Sequence, residues 1–321
     1  MKTICALLLG LLALAPEQGH AQSWPSRPIQ IIVSSGAGGA ADIMARLVGE
    51  QLSTALGQPV VVENRPGAGG NTGAISVARA NPDGYTLLMS GSPTHSVAPH
   101  LFKNLPYDPM RDAPPVAMIA AAPNLLVVNP SLPVKSVADL VKLAREKPDT
   151  ITYSSAGIGT SGYLAGELLK NIAKLDMTHV PYKSGPEAVT GVITGAISFL
   201  FFTLPSVLPQ VEAGHLRALA IASAERSALV PNVPTIAEAG YPGFDVIAWY
   251  ALFAPKGTPE PVIARLNTEI EKIVARPDIR AQMAKLGAEP KYLPPNGVVD
   301  FVAQESPKFE VLLKDIKTTA N

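Results

Sequence analysis

Short apolar runs alternate along this chain with longer stretches in which apolar residues recur at helical spacing. Residues 29–33 (IQIIV) read as a buried strand, residues 41–56 (ADIMARLVGEQLSTAL) as an amphipathic helix and residues 59–64 (PVVVEN) as a second strand. A glycine-rich turn, a helix and a strand over 85–90 (YTLLMS) follow, the last announced by the turn signal Asn81-Pro82-Asp83-Gly84. After a proline-rich connection at 104–115, a strand over 124–130 (NLLVVNP) opens a second series. It continues with a helix from Ser136 to Lys147, strand 151–155, a helix from Ser161, strand 178–182, a helix from Pro186, strand 196–202, a helix from Pro205 and strand 216–222. This alternation predicts an α/β fold with mostly parallel strands, in two similar halves.

The last third supplies the strand WYALFAP, a helix introduced by Thr258-Pro259-Glu260 and running to about Ala275, and a final helix capped by Asn296 and reaching Lys317. These helices need a sheet to cover, and the first half is the expected host. The chain then crosses between halves twice, near Pro123 and near Ile247, and two crossings make a hinge with a cleft. The expected division is residues 22–123 with 248–321 as one domain and 124–247 as the other.

The N-terminus changes what the rest can be. Lys2 precedes an apolar run from Ile4 to Ala15 that is too short to span a bilayer, and Gly19-His20-Ala21 offers small residues for cleavage, so 1–21 reads as a signal peptide and the expected location is the periplasm. Its removal takes away Cys5, the sole cysteine, and with it disulfides, thiolate nucleophiles and sulfur-ligated metals. Formal net charge is +0 and no basic run occurs, which leaves no electrostatic footprint for nucleic acid or an anionic membrane. With only 16% charged residues, a bound anion must be held locally, by a few side chains and by backbone dipoles.

Gly36-x-Gly38-x-x-Ala41 and Gly157-x-Gly159-x-x-Gly162 each follow a strand and open a helix. Both satisfy the spacing of a dinucleotide fingerprint, and Glu63 stands about 20 residues beyond the first, where a ribose-binding acid would sit. An exported chain has little access to NAD, however, and a dinucleotide domain needs one fingerprint rather than two. Glycine turns that merely pack helix on strand explain the spacing but not the hydroxyls around it, Ser34 and Ser35 in one case and Ser154, Ser155, Thr160 and Ser161 in the other. Free N–H groups, the positive end of a helix dipole and small hydroxyl donors together suit a carboxylate. The candidate ligand-binding residues are therefore Ser34, Ser35, Gly36, Ala37, Gly38 and Gly39, with Ser155, Ala156, Gly157, Gly159, Thr160 and Ser161.

A third turn of similar character, SGSPTH at 90–95, adds Ser92 and Thr94 at the carboxyl edge of a strand. Asp42 is placed to cap or orient the first loop, and Arg46 on a solvated helix face. His95, Trp249 and Tyr250 stay open between cleft and core, whereas Phe199, Phe201 and Phe202 are assigned mainly to the core. No cofactor or metal is expected: there is no Gly-x-Ser-x-Gly elbow or His-Glu-x-x-His, and His95, His100, His179 and His215 lack paired ligand spacing. A hydrolase would have to join Ser155 to a distant histidine that nothing in the sequence positions.

Taken in order between Pro25 and about Gly287, GQPVVVENRPGAGGNTGA, ANPDGYTLLM, LLVVNPSLPVKSVADL, YSSAGIGTS, HVPYKSG, VPTIAEAGYPGF and ALFAPKGTP resemble the Bug-type solute receptors of tripartite tricarboxylate transporters. The resemblance implies a two-domain periplasmic-binding-protein fold (type II, a Venus flytrap) with an interdomain ligand cleft. It implies no enzymatic activity, and delivery of a small organic acid to a membrane permease of one large and one small subunit. It also implies that main-chain and hydroxyl donors hold the ligand carboxylate, partly through waters, from the loops that are here Ser34 to Gly39 and Ser155 to Ser161.

Two departures bear on the ligand. Relatives usually read Pro-Phe-x-Pro-Gly-Gly where this chain has Ser34-Ser35-Gly36-Ala37-Gly38-Gly39, which implies a more flexible, more polar loop without an aromatic lid. Many read Phe-Asp where this chain has Phe202-Thr203, and Thr203 cannot pair with a ligand ammonium. The expected ligand is a carboxylate without an α-amine, a di- or tricarboxylate or an aromatic acid, bound by a monomer. A sensory protein docking on a membrane kinase would use the same cleft, and a periplasmic hydrolase is the remaining alternative.

Overall fold

The computed structural model describes residues 24–148 and 150–314, so the expected signal peptide and residues 315–321 lie outside the described residues. β1 (Ile29–Val33), α1 (Ala40–Leu56), β2 (Val60–Asn64), α2 (Asn71–Ala78) and β3 (Thr86–Gly91) form the first series. A single π turn at Pro93–Val97 and two short helical turns lead to β4 (Pro115–Val128). The second series is α3 (Val137–Glu146), β5 (Thr152–Ser155), α4 (Ser161–Ile172), β6 (Thr178–Pro181), α5 (Gly185–Ile193), β7 (Phe199–Thr203), α6 (Leu204–Glu212) and β8 (Arg217–Ile221). The chain ends with β9 (Ile247–Phe253), α7 (Glu260–Ala275), α8 (Pro277–Lys285), β10 (Glu289–Leu293) and α9 (Pro295–Lys314).

β1 lies parallel to β2 and β3, and β5 parallel to β6 and β7. All pairs made by β4 and β9 are antiparallel, so the expectation of mostly parallel strands holds only inside each βαβ series. The physical reason is the crossing itself: a chain that leaves one lobe and later returns runs in opposite directions on its two passes. β4 makes the outward pass as a 14-residue strand buried throughout. Its residues from Pro115 to Pro123 pair with β9, while Asn124 to Val128 pair with β7 and Leu125 to Val128 with β8. The strand thus begins well before residue 124, where the apolar pattern placed it. Pro123, which has no N–H to donate, sits inside it where the pairing changes sheets.

Each lobe has its own core. In the first, Ile31 and Val33 pack with Met44 and Val48 of α1 and with Leu266 and Ile270 of α7. In the second, Leu126, Tyr153, Phe199 and Phe201 pack with Leu164 and Leu169 of α4. The final helix departs from expectation in two ways. It starts at Pro295, so Asn296 lies in its first turn rather than at the cap. It also covers more than the first sheet: Val298 and Val302 join the cluster around Trp249 and Phe253, while Phe309 and Leu313 reach the second lobe's cluster.

Where α9 passes the hinge, Glu305 is buried. Its Oε2 accepts a 2.5 Å hydrogen bond from the Ser96 hydroxyl and another of 2.5 Å from the Trp249 indole N–H. Burial pushes the Glu305 carboxyl above its ordinary range, against the opposing pull of those two donors. The folded state therefore holds this proton more tightly than the unfolded state, and the side chain costs stability as pH rises through that window. Glu305→Gln keeps an acceptor but removes the charge. As pH rises from the ordinary carboxylate range upward, the urea-unfolding free energy of the variant is expected to gain on the parent; a difference independent of pH contradicts this reading.

Candidate functional site

The buried strand β1 delivers Ser34 to the start of a glycine turn, and α1 opens after Gly39 with no side chain capping it. Its first N–H groups are left for an outside acceptor. Asp42 holds the turn in shape. Its Oδ2 accepts from the Gly38 N–H at 2.9 Å, a residue at φ +76°, and its Oδ1 from the Arg46 Nε–H at 3.0 Å. Asn64 Nδ2 donates to the Ser35 carbonyl at 3.1 Å. Below this corner runs a chain of hydroxyls: Ser34 Oγ to Ser90 Oγ at 2.7 Å, Ser90 Oγ to Thr94 Oγ1 at 2.6 Å, and Thr94 Oγ1 to His95 Nδ1 at 2.8 Å. The Ser35 hydroxyl, by contrast, is buried and has no partner.

In the second lobe β5 ends at Ser155 and α4 opens after Thr160, whose Oγ1 accepts from Tyr163 N–H and donates to the Gly157 carbonyl at 2.7 Å. Ser161 Oγ donates to Asn124 Oδ1 at 3.1 Å, and Asn124 Nδ2 donates to the Val246 carbonyl, which ties this corner to the hinge. The structure also brings together a pair that the sequence left apart, Ser155 Oγ and His179 Nε2 at 2.8 Å. Burial, with a smaller contribution from Lys170, pushes His179 down to about 4, so the imidazole is neutral at pH 7. Ser155 is fully buried, accepts the Gly157 N–H, and has its back to the cavity. This pair braces the turn and offers no exposed nucleophile.

The two corners face one cavity of about 610 Å³ between the lobes. Of the expected residues, Ser34, Ser35, Gly36, Gly39, Ala156, Gly157, Thr160, Ser161 and Thr203 line it. The others do not. Ala37 and Gly38 are exposed on the outer side of the turn, and Asp42 is engaged beneath it. Ser92 and Thr94 are buried behind the wall, Ser155 faces His179, and Gly159 sits under Leu101, whose Cδ2 would lie 2.8 Å from any added Cβ. His95 is buried against Phe253, its ring 3.6 Å away in a stacked arrangement, and burial pushes it down to about 3. Trp249 belongs to the core, whereas Tyr250 lines the cavity.

Three further parts of the wall escaped the sequence reading. The turn Gly67 to Gly70 contributes from the first lobe, and Pro181 to Gly185, at the uncapped start of α5, from the second. The Ser184-Gly185-Pro186 order, a small capping residue followed by proline, was the signal for the latter. Phe102 and Phe202 supply aromatic wall from outside the first loop, and Phe202 is thus not confined to the core. The lobes touch across the mouth: a Cβ on Gly36 would stand 2.9 Å from Ser184 Cβ, and one on Gly69 2.7 Å from the Ile158 carbonyl oxygen.

Two α/β lobes joined by antiparallel crossing strands, with a cavity walled by both, are the architecture of the periplasmic solute-binding proteins. The chain belongs to the TctC family, the tripartite tricarboxylate transporter family receptors, whose sequence pattern matches residues 44–318. It is 36% identical to Protein BugT of Bordetella pertussis, over 92% of this chain and 91% of that one. Among solved structures it is similar to R. palustris Rpa4515 with adipate, at 36% identity and a TM-score of 0.89 over 91% of this chain and 97% of that one. MatC (Rpa3494) from Rhodopseudomonas palustris with bound malate is similar at 34% identity and a TM-score of 0.86, over 90% and 100% of the two chains.

The bracing role of Asp42 is directly measurable. Burial alone would raise its pKa, but hydrogen bonds from Arg46 and the Gly38 N–H outweigh that and hold the carboxyl below its ordinary value. A depressed folded-state pKa stabilises above the unfolded-state value and loses that stabilisation as pH falls through the folded-state value. Asp42→Ala is expected to cost about 0.5–2 kcal/mol in urea unfolding at neutral pH, as loss of a capping acceptor does, and less in acid. An equal cost at both pH values contradicts the assignment.

Proposed function

We propose that this chain captures a small carboxylate without an α-amine, a di- or tricarboxylate or an aromatic acid, and delivers it to a membrane permease. The observation that carries this reading is the meeting of two uncapped or hydroxyl-lined helix starts, α1 from one lobe and α4 from the other, at one cavity. The adipate and malate bound in two similar receptors support the carboxylate class. Thr203, where an acid would be needed to hold an ammonium, supports the exclusion of amino acids.

Magnitudes favour two corners over one. A micromolar receptor needs about 8 kcal/mol net. A helix terminus supplies roughly 0.3–1 kcal/mol, up to about 2 when partly buried. Charge-assisted hydrogen bonds add roughly 1.5–3 kcal/mol each. One turn falls short, whereas four or five such bonds from two turns cover both binding and closure. Closure then serves as the signal, since only the shut form presents one fixed surface to the permease. In this reading residues 1–21 are a cleaved signal peptide, residues 22–123 with 248–321 form one lobe and 124–247 the other, and the receptor acts as a monomer.

A thermal-shift screen of organic acids on the mature protein tests the proposal. Ligand at a hundred times its dissociation constant is expected to stabilise by about 2.7 kcal/mol. Amine-free acids are expected to act at lower concentration than aspartate or glutamate; the reverse order contradicts the exclusion of amino acids, and no response to any acid contradicts the receptor itself.

A further inference from the structure

The cavity wall is almost without charge. Among the described residues it contains no carboxylate, and its hydroxyls and glycines lie around the helix starts, while Pro93, Phe102, Ile158 and Phe202 give it apolar surface. Among the described residues, one basic residue stands in the lining: Lys183. It stands in the segment between β6 and α5, next to Ser184, the residue that meets Gly36 across the mouth. Lys183 is exposed, and the lysines that form ion pairs among the described residues are Lys142, Lys272, Lys308 and Lys314. Among the described residues Lys183 pairs with no carboxylate, and it stands beside the point where the two lobes meet.

The amide-rich corners are sufficient for one carboxylate and provide no charge for a second. A cavity of about 610 Å³ holds far more than one carboxylate, and its apolar wall suits a carbon spacer. We propose that Lys183 is the specificity-determining residue that reads a second anionic group, so that the preferred ligand is a dicarboxylate whose two acids are separated by an apolar chain. This rests on the receptor reading above and narrows it. The lysine acts as a point charge on a flexible stem, which tolerates a range of spacer lengths. Because Lys183 reaches the site from the second lobe, a second carboxylate also draws that lobe toward the first, and a monocarboxylate lacks this pull.

The test is calorimetric titration of the parent protein, Lys183→Gln and Lys183→Arg with hexanedioate and with hexanoate, at low and at high salt. The parent is expected to bind the diacid at least tenfold more tightly, with that preference shrinking in high salt. Lys183→Gln is expected to lose most of the preference while binding hexanoate within about twofold of the parent, and Lys183→Arg to restore it. An unchanged preference in Lys183→Gln overturns the role of Lys183 and leaves the receptor reading standing. Equal losses for both acids overturn it also, by pointing to a structural role. If the parent binds neither these two nor any other acid, both proposals fall together.

Discussion

In a cavity whose wall carries almost no charge, a carboxylate is held where backbone N–H groups converge on it, and a single helix start offers too few. The architecture follows from meeting that constraint twice. α1 and α4 belong to different sheets, yet both open toward one cavity, because each follows a parallel strand that ends at the cleft. The side chains around these starts do supporting work. Asp42 and Asn64 shape one turn, Thr160 and the Ser155–His179 pair the other.

Convergence requires a hinge that is firm in itself. β4 and β9 are antiparallel partners through the crossing, and Asn124 is bonded to both the Val246 carbonyl and Ser161 at the second corner. α9 adds a third strut, packing Val302 into one core and Phe309 into the other, with Glu305 between them bonded to Ser96 and Trp249. Ser96 lies in the π turn that also carries Thr94 and His95 of the hydroxyl chain beneath Ser34. The hinge and the first corner are thus mechanically joined through a few buried polar groups bonded to one another.

The parts of this account legible in the sequence were those with local chemistry. Strand, glycine turn and helix follow one another in 29–56 and again in 151–172, and both turns line the cavity. What local pattern could not reveal depended on tertiary placement. The apolar run 115–128 contains two prolines, Pro115 and Pro123, that read as loop ends, although in the folded chain it is one buried strand passing between sheets. Ser92, Thr94 and His95 have the residue types of a binding turn, but the π turn rolls them into the interior. Tyr182 and Phe202 look like strand and core residues until α5 and α6 place them at the wall. Ser155 and His179 are brought together only by the parallel pairing of β5 with β6, where Tyr153 opposes His179.

The central claim is that two corners share one guest. The most direct measurement is an NMR titration that follows the backbone amides of 35–39 and 157–161 while an alkanedicarboxylate is added. Both groups are expected to shift along saturation curves with the same dissociation constant. Movement of one group alone, or of the two at different ligand concentrations, would contradict a site built jointly by the two lobes.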